Sequence, residues 1–301
     1  MSQITKQDVL RQSNALTTAA YSLGRNEKRI LYIALKHFLD NPVDYKKTEF
    51  GHVSVDIETN RYASLFNSEN ASKEIAAAAN AMKGKEVVFY LPDEDTDEDK
   101  AYDSFTWMVK RSHRPKRGVT TFYFNAELIS IITEVKSDFT KFLIGDAGEL
   151  GSGHSMRLYE SIKQWANRRN NVSFTVQWMI DRYCLPKSYE RMSDFRRRFL
   201  KPSVEDIAKK TDIKLRYTEE KRNGEIYINF EWDSIIRDKS TKVIEEELTP
   251  LEQAQVIHSK LVAKENVTKK ELQVLKKNLT EFSLSGGQLC EDAIEALRAL
   301  S

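Results

Sequence analysis

The side chains best suited to chemistry in this sequence are three consecutive guanidinium groups, Arg196 to Arg198, in the segment SYERMSDFRRRFL (188–200). A guanidinium can donate two parallel hydrogen bonds to guanine O6 and N7, or it can clamp a phosphate. The chemistry that these residues predict is therefore recognition of nucleic acid. A run of charged residues is also typical of a solvated helix face, so the run by itself leaves both interpretations open.

Helical periodicity divides this segment into two faces. With about 100° per residue from Phe195, a helix starting near Ser193 places the cations on one side: Arg197, Arg198 and Lys201. The apolar side then holds Phe195, Phe199, Leu200, Val204 and Ile207. Arg196 falls on the apolar side, so we expect it to form a structural salt bridge unless the helix is bent. Pro202 predicts a bend, because proline lacks the N–H that continues a helix.

Two alternating segments follow this helix in KLRYTEEKRNGEIYINFEW (214–232). Asn223-Gly224 suits a tight hairpin turn, since both residues tolerate positive φ. A basic helix with a hairpin behind it is typical of a winged helix-turn-helix, in which the helix enters the major groove and the hairpin lies on phosphates. An ordinary soluble hairpin is the alternative. The DNA-binding residues predicted in this region are Arg191, Ser193, Arg197, Arg198, Lys201, Lys221 and Arg222.

The first half of the chain shows the same order of elements. Strands are predicted at 86–91, 105–109 and 120–125. The strand and helix over 52–66 match 172–186, the helix over 70–83 matches the arginine-rich helix, and 120–132 matches 225–236. In this comparison 214–217 matches 87–90. The sequence therefore predicts an α+β fold with two tandem winged-helix domains related by internal duplication, plus a helical C-terminal tail.

The domain boundaries follow from glycine content and pattern. GDAGELGSG (145–153) has four glycines in nine residues and is interpreted as a linker. We therefore expect an N-terminal winged-helix domain over 1–146, a C-terminal one over 152–239 and a tail over 240–301. The tail shows helical patterns at 250–263, 268–279 and 290–300 and little strand signal.

The first predicted domain offers weaker candidates for DNA contact. Its helix 70–83 has an apolar face at Ala71, Ile75, Ala78 and Met82. The stretch 106–118 is basic without an acid, and its part 110–117 is expected at the tip of a hairpin, as a DNA-binding wing or as part of a protein interface. An exposed alanine-rich face also simply favours helix formation. The candidates in this domain are Ser72, Lys73, Asn80, Lys110, Arg111, Arg114, Lys116 and Arg117.

The sequence gives little support for an enzyme, a metal-binding protein or a membrane protein. The five histidines are isolated, the two cysteines are far apart, and Gly84-Lys85-Glu86 lacks the rest of a phosphate-binding loop. We therefore expect no catalytic residue, no metal and no cofactor. Without a long apolar run or a signal core, the expected location is the cytoplasm, with no membrane partner.

Four segments carry a family resemblance: RQSNALTTAAYSLGRNEKRILYIAL (11–35), KGKEVVFYLPDED (83–95), MRLYESI (156–162) and SYERMSDFRRRFL. They resemble the iteron-binding replication initiators of bacterial plasmids, in particular the type found on the F plasmid, over about residues 10–236. The second and the last of these segments are specific to the family, whereas the generic helices are not, and the tail from about residue 240 lies outside the resemblance. Ser193 and Lys201-Pro202 depart from the pattern of the F type, which bears on helix geometry and not on the arginines.

The resemblance implies that monomers bind direct repeats in the double-stranded origin, while homodimers bind an inverted operator and repress the protein's own gene. It implies that the second domain is the main reader. The first domain would add weaker DNA contacts and the dimer interface, corresponding to 70–83 and the strands within 86–125. Host replication proteins and chaperones are the implied partners. A transcriptional repressor without a replication role stays an alternative, whereas a nicking enzyme is disfavoured because paired histidines are absent.

Overall fold

The computed structural model of this 301-residue chain describes residues 4–42, 49–96, 99–133, 139–166, 168–234, 254, 257, 258, 267–279, 289, 293, 294 and 297. The chain separates into two compact units, residues 1–235 and 236–301. Each unit is described by itself below.

The first part of the larger unit mixes helices and strands. In chain order it contains β1 (Val9–Ser13), α1 (Asn14–Thr18), α2 (Arg25–Asp40), β2 (His52–Glu58), α3 (Thr59–Phe66), α4 (Ala71–Ala81), β3 (Glu86–Tyr90), β4 (Tyr102–Thr106), β5 (Met108–Arg114), β6 (Val119–Asn125), α5 (Ala126–Thr133), β7 (Phe139–Leu143) and α6 (Ile144–Glu149). Along β2 every second residue is buried, as expected for a strand with one face on the core.

The second part repeats this mixture. It contains α7 (Gly153–Ala166), β8 (Asn171–Thr175), α8 (Val176–Arg182), α9 (Met192–Phe195), a π-helical segment (Arg196–Leu200), α10 (Lys201–Lys210), β9 (Ile213–Arg222) and β10 (Glu225–Ser234). The fold is α+β, and each part has the strand, helices and hairpin of the predicted winged-helix domain.

The two domains share one sheet plan. The order β2-β6-β5 in the first corresponds to β8-β10-β9 in the second, with all neighbours antiparallel. In both cases two helical segments, α3–α4 or α8–α10, lie between the first strand and the hairpin. This shared order agrees with the predicted duplication.

One detail of the predicted duplication is wrong. Segment 87–90 belongs to β3, which pairs with β4 in a separate two-stranded sheet, whereas 214–217 belongs to β9, which pairs with β10. The strand that takes the position of β9 in the first domain is β5. The predicted strand 105–109 is in fact interrupted at the fully buried Trp107, between β4 and β5.

The glycine-rich segment 145–153 is not a free linker. Most of it forms α6, in which Gly145 and Gly148 are buried. A Cβ at Gly145 would lie 2.7 Å from the backbone oxygen of Lys6, and one at Gly148 would overlap the ring of Phe66. These glycines are required for close packing, a role that their sequence pattern does not separate from flexibility.

A fully buried ion pair lies in the core between α2 and α7. The Lys28 ammonium donates hydrogen bonds to Glu160 Oε1 (2.5 Å) and to the Tyr21 hydroxyl (2.9 Å), and Tyr32 donates to Glu160 at 2.7 Å. Burial lowers the pKa of Lys28 to about 8, against the opposing effect of Glu160.

Arg157 extends this buried group towards the second domain. Its guanidinium donates to the backbone oxygens of Leu16 (3.2 Å), Ala19 (2.7 Å) and Arg182 (3.2 Å). Since Arg182 ends α8 and Ala19 follows α1, helix α7 joins the two winged-helix domains through buried hydrogen bonds. Leu16 is fully buried nearby and belongs to the core.

The smaller unit contains helix α11 (Lys269–Lys277), within the predicted helix 268–279. Leu275 on this helix packs with Ala254, Ile257 and Ala293 in a small apolar cluster. The helices predicted over 250–263 and 290–300 lie largely outside the described residues.

Candidate nucleic-acid interface

The arginine-rich segment forms one helix interrupted by a wider turn. Helix α9 leads into the π-helical residues Arg196–Leu200, where the Lys201 N–H donates to the Arg196 carbonyl five residues earlier. Pro202 follows at once, and its ring would clash with the carbonyl of Arg198 in a regular α-helix. The predicted disturbance at Pro202 is thus a π-turn, a feature that recurs at functional sites.

The π-turn changes the predicted place of Arg196. Because residues five apart overlie each other in such a turn, Phe195 and Leu200 both stay buried and the three arginines between them are exposed. The expectation that Arg196 lies on the apolar face is therefore wrong, since it assumed a regular helix. The expectation that it forms a salt bridge is confirmed.

The partner of Arg196 is Glu219 on β9. The guanidinium donates to both carboxylate oxygens, from Nε at 2.8 Å and from Nη2 at 2.7 Å. The Glu219 hydrogen bonds raise the pKa of Arg196. This two-point contact ties the arginine-rich helix to β9, the first strand of the hairpin.

Asp194 forms ion pairs with three other arginines in and beside the helix. Its Oδ1 accepts from Arg197 Nη2 at 2.8 Å and lies 3.2 Å from Arg198 Nε, while its Oδ2 lies 3.7 Å from Arg191. The hydrogen bond from Arg197, with the charges of Arg198 and Arg191, lowers the pKa of Asp194. One carboxylate therefore holds three guanidinium groups in a fixed arrangement.

The arginines keep free donors for a ligand. The side chains of Arg197 and Arg198 are 70% and 53% exposed, whereas that of Asp194 is 11% exposed. A guanidinium has five N–H donors, so bonds to Asp194 leave donors on each arginine facing solvent. Two further predicted residues, Ser193 and Lys201, are exposed, and neither is in a side-chain hydrogen bond or ion pair with any residue the structure describes.

The hairpin turn is as predicted. Asn223 and Gly224 have φ of 50° and 87°, and Lys221 and Arg222 are the last residues before them. Arg222 donates to Glu220, and this bond, with one from Asn229, lowers the pKa of Glu220 to about 2. The charge of Arg222 is thus partly neutralised by Glu220. Lys221, the other basic residue at the tip, has no acidic partner among the residues that the structure describes.

The first domain presents its candidates from two elements. On α4, Ser72, Lys73 and Asn80 are exposed, opposite the buried Ile75 and Ala78. In the basic stretch, Arg114 ends β5 and Lys116 and Arg117 form the turn that closes at Gly118 (φ 64°). These three lie at the hairpin tip and are exposed.

Two residues of that basic stretch lie elsewhere than predicted. Lys110 and Arg111 are on strand β5, away from the tip, because β5 extends to Arg114. Arg111 donates to the backbone oxygen of Ala79 at 2.6 Å, and the Lys110 ammonium lies 4.9 Å from the centre of the Tyr123 ring. Arg111 therefore joins β5 to α4.

The geometry and the sequence agree with a known family. The family model described as "Initiator Replication protein, WH1" matches residues 9–163, more than half of the chain, and the model described as "Initiator Rep protein, WH2" matches residues 175–232. The chain belongs to the initiator replication protein family. This initiator therefore carries the two DNA-binding winged-helix domains of that family.

Two individual proteins resemble this initiator. An uncharacterized 27.6 kDa protein of Escherichia coli is 28% identical over 222 residues, which cover 71% of this chain and 91% of the relative. A crystal structure of domains 2 and 3 of RctB covers 69% of this chain and 82% of that one, with a TM-score of 0.41 and 10% identity. The second similarity is too weak to carry an argument.

Other functional features are not seen in the described residues. No group of three His, Cys, Asp or Glu side chains in these parts is arranged to hold a metal ion. Nor do the described parts include a helix with the length and apolar composition that a bilayer crossing demands.

Sequence reasoning missed two carboxylates of this initiator that hold the arginines of its arginine-rich helix, Asp194 and Glu219. The contacts of Asp194 could have been predicted from the sequence, because residues three and four apart are neighbours on a helix. Arg191, Arg197 and Arg198 lie at those spacings from Asp194. The contact of Glu219 with Arg196 could not, since it depends on how the hairpin packs against the helix.

Proposed function

We propose that this initiator starts plasmid replication by binding direct repeats in the origin as a monomer, and that it represses its own gene as a dimer. The observation that carries the proposal is the exposed arginine cluster on the recognition helix, held by Asp194 and tied to the hairpin through Arg196 and Glu219. Its site of action is the bacterial cytoplasm, and the reading of DNA needs no catalytic residue or cofactor.

In this proposal the second domain reads the bases. Arg197 and Arg198 enter the major groove, where their free N–H donors reach base edges or phosphates. Arg191, Ser193 and Lys201 flank these two arginines and contact the phosphate backbone of the DNA. Lys221 contributes more than Arg222 at the wing, because Arg222 is engaged by Glu220.

The first domain adds a second, weaker contact. Ser72, Lys73 and Asn80 on α4 face one groove, with Arg114, Lys116 and Arg117 on the neighbouring phosphates. We assign Lys110 and Arg111 a supporting role in this domain, since both are held by internal contacts. Because Arg157 on α7 hydrogen-bonds to both domains, their binding energies add as in a bivalent ligand.

Self-association and further partners complete the proposal. The resemblance to plasmid initiators supports a homodimer formed through the first domain, with host replication proteins and chaperones as partners. If monomers bind the repeats and dimers bind the operator, the two protein–DNA complexes differ in the mass of bound protein. Selecting bound fragments from the source plasmid and measuring the mass of protein on each one tests this point.

If Arg197 and Arg198 read bases, substitution of either one should weaken binding to the selected site more than binding to other DNA. Arg197→Ala or Arg198→Ala should lower affinity for the selected site by roughly 1–3 kcal/mol and relax its sequence preference. Arg216→Ala is the matched control, since Arg216 lies on β9 in an exposed ion pair with Asp233. Binding curves on specific and scrambled duplexes provide the measurement. Wild-type affinity and preference in both variants would refute the assignment.

A replication assay separates initiation from repression alone. A plasmid that carries the origin repeats but lacks its own initiator gene should replicate when this protein is supplied in trans. If the protein binds the repeats and represses its gene but the plasmid is lost, it is a dedicated transcriptional repressor.

A further inference from the structure

Helix α11 of the smaller unit carries four lysines on one face. Lys269, Lys270, Lys276 and Lys277 are all exposed, as is Gln273 between them. None of the four lysines is in an ion pair with any described residue. With about 100° per residue, these five side chains fall within an arc of roughly 120°.

The opposite face of α11 fixes this orientation. Leu275 is fully buried against Ala254, Ile257 and Ala293, and Leu272 and Val274 pack around them. Because this cluster anchors the apolar side, the lysine face is turned to solvent. It extends about 12 Å along the helix axis at 1.5 Å per residue.

Helix stability does not explain all four lysines. Lys276 and Lys277 lie in the last turn, where the helix dipole favours cations, but Lys269 and Lys270 lie in the first turn, where it disfavours them. Thr268 and Glu271 form a capping box there, which offsets the unfavourable charges. Residues that break a local rule in this way are expected at functional sites.

We propose that the lysine face of α11 is an additional binding site for the phosphate backbone of duplex DNA. The proposal rests on the proposed function, in which the larger unit supplies sequence recognition. Lysines act as point charges towards phosphate and do not read bases. The site therefore raises the affinity of the initiator for any duplex and leaves the discrimination between sequences to the arginines of the second domain.

The test is the salt dependence of DNA binding by the full chain. The probes are a mixed-sequence 30-base-pair duplex, that length chosen as about three helical turns, and the duplex selected by the wild type. Each phosphate contact contributes about 0.9 to the slope of log K against log salt concentration. In the variant K269Q/K270Q/K276Q/K277Q we expect a slope less steep by roughly 2–4 on both probes, with an unchanged ratio of the two affinities.

Two controls make the outcome decisive. The charge-conserving variant K269R/K270R/K276R/K277R should keep the wild-type slope. The glutamine variant should keep its helix, because glutamine is a good helix former and two unfavourable charges leave the first turn; circular dichroism checks this. Equal slopes in the glutamine variant and the wild type overturn the proposal while DNA recognition by the larger unit stands. Failure of the wild type to bind either duplex overturns the proposed function itself.

Discussion

At the scale of single residues, the recognition helix depends on one carboxylate. Asp194 contacts Arg191, Arg197 and Arg198 and is itself nearly buried, so it fixes long side chains that would otherwise be mobile. Ordering these side chains before DNA arrives reduces the entropy lost on binding. The carboxylate also weakens attraction to phosphate in general, because it offsets one positive charge. Asp194 is thus expected to favour specificity over bulk affinity.

This expectation gives a test at Asp194. Asp194→Asn keeps the size of the side chain and removes its charge. We expect tighter binding to mixed-sequence DNA and a ratio of specific to non-specific affinity that falls roughly tenfold, which is about 1.4 kcal/mol. Asp233→Asn, which also breaks an exposed ion pair on this domain, should leave the ratio unchanged. An unaltered ratio in the Asp194 variant would show that the arginines do not need this partner.

At the scale of elements, the recognition helix and the hairpin act as one piece. The Arg196–Glu219 contact is bidentate, and the π-turn is what brings Arg196 to the surface beside β9. A helix and a wing that are held together can meet groove and phosphate at the same time. The role assigned to Arg196 is therefore positioning and not base reading.

A double-mutant cycle tests this coupling. Arg196→Ala and Glu219→Ala should each lower the free energy of unfolding by about 0.2–1 kcal/mol, because the pair is half exposed. Their effects on DNA affinity should be similar to each other, smaller than that of Arg197→Ala, and not additive in the double variant. A much larger loss in Arg196→Ala than in Glu219→Ala would instead mean that Arg196 contacts DNA directly.

At the scale of the larger unit, helix α7 is the shared support of both winged-helix domains. It supplies Glu160 to the buried Lys28 and Arg157 to backbone oxygens of both domains. These residues belong to the MRLYESI segment that resembles plasmid initiators. In this chain that segment supports the domain pair from inside, whereas SYERMSDFRRRFL lies at the candidate DNA surface.

Removing the buried carboxylate tests this support. Glu160→Gln leaves the Lys28 ammonium buried without its counter-charge, so we expect the free energy of unfolding to fall by about 3–5 kcal/mol. Glu149→Gln, which breaks an exposed pair with Lys6, should cost under about 1 kcal/mol. Urea denaturation compares the two variants. Equal losses would contradict a special role for the buried pair.

The sequence by itself determined the features that depend on neighbours along the chain. The period of apolar residues predicted helix α4, and Asn223-Gly224 predicted the hairpin turn. The exposure of Arg197 and Arg198 followed from their positions relative to Phe195. Local conformational preference and burial of one face are sufficient for such predictions.

The tertiary structure alone decided the features that depend on distant residues. Strand β1 pairs with β7, more than a hundred residues later in the chain. The ring of Phe66 packs where a side chain at residue 148 would lie, and Arg111 donates to the backbone oxygen of Ala79. Arg196 joins this group, because its place depends on the π-turn and on Glu219. Periodicity carries no information about which distant surfaces meet, and close packing decides that only once the chain is folded.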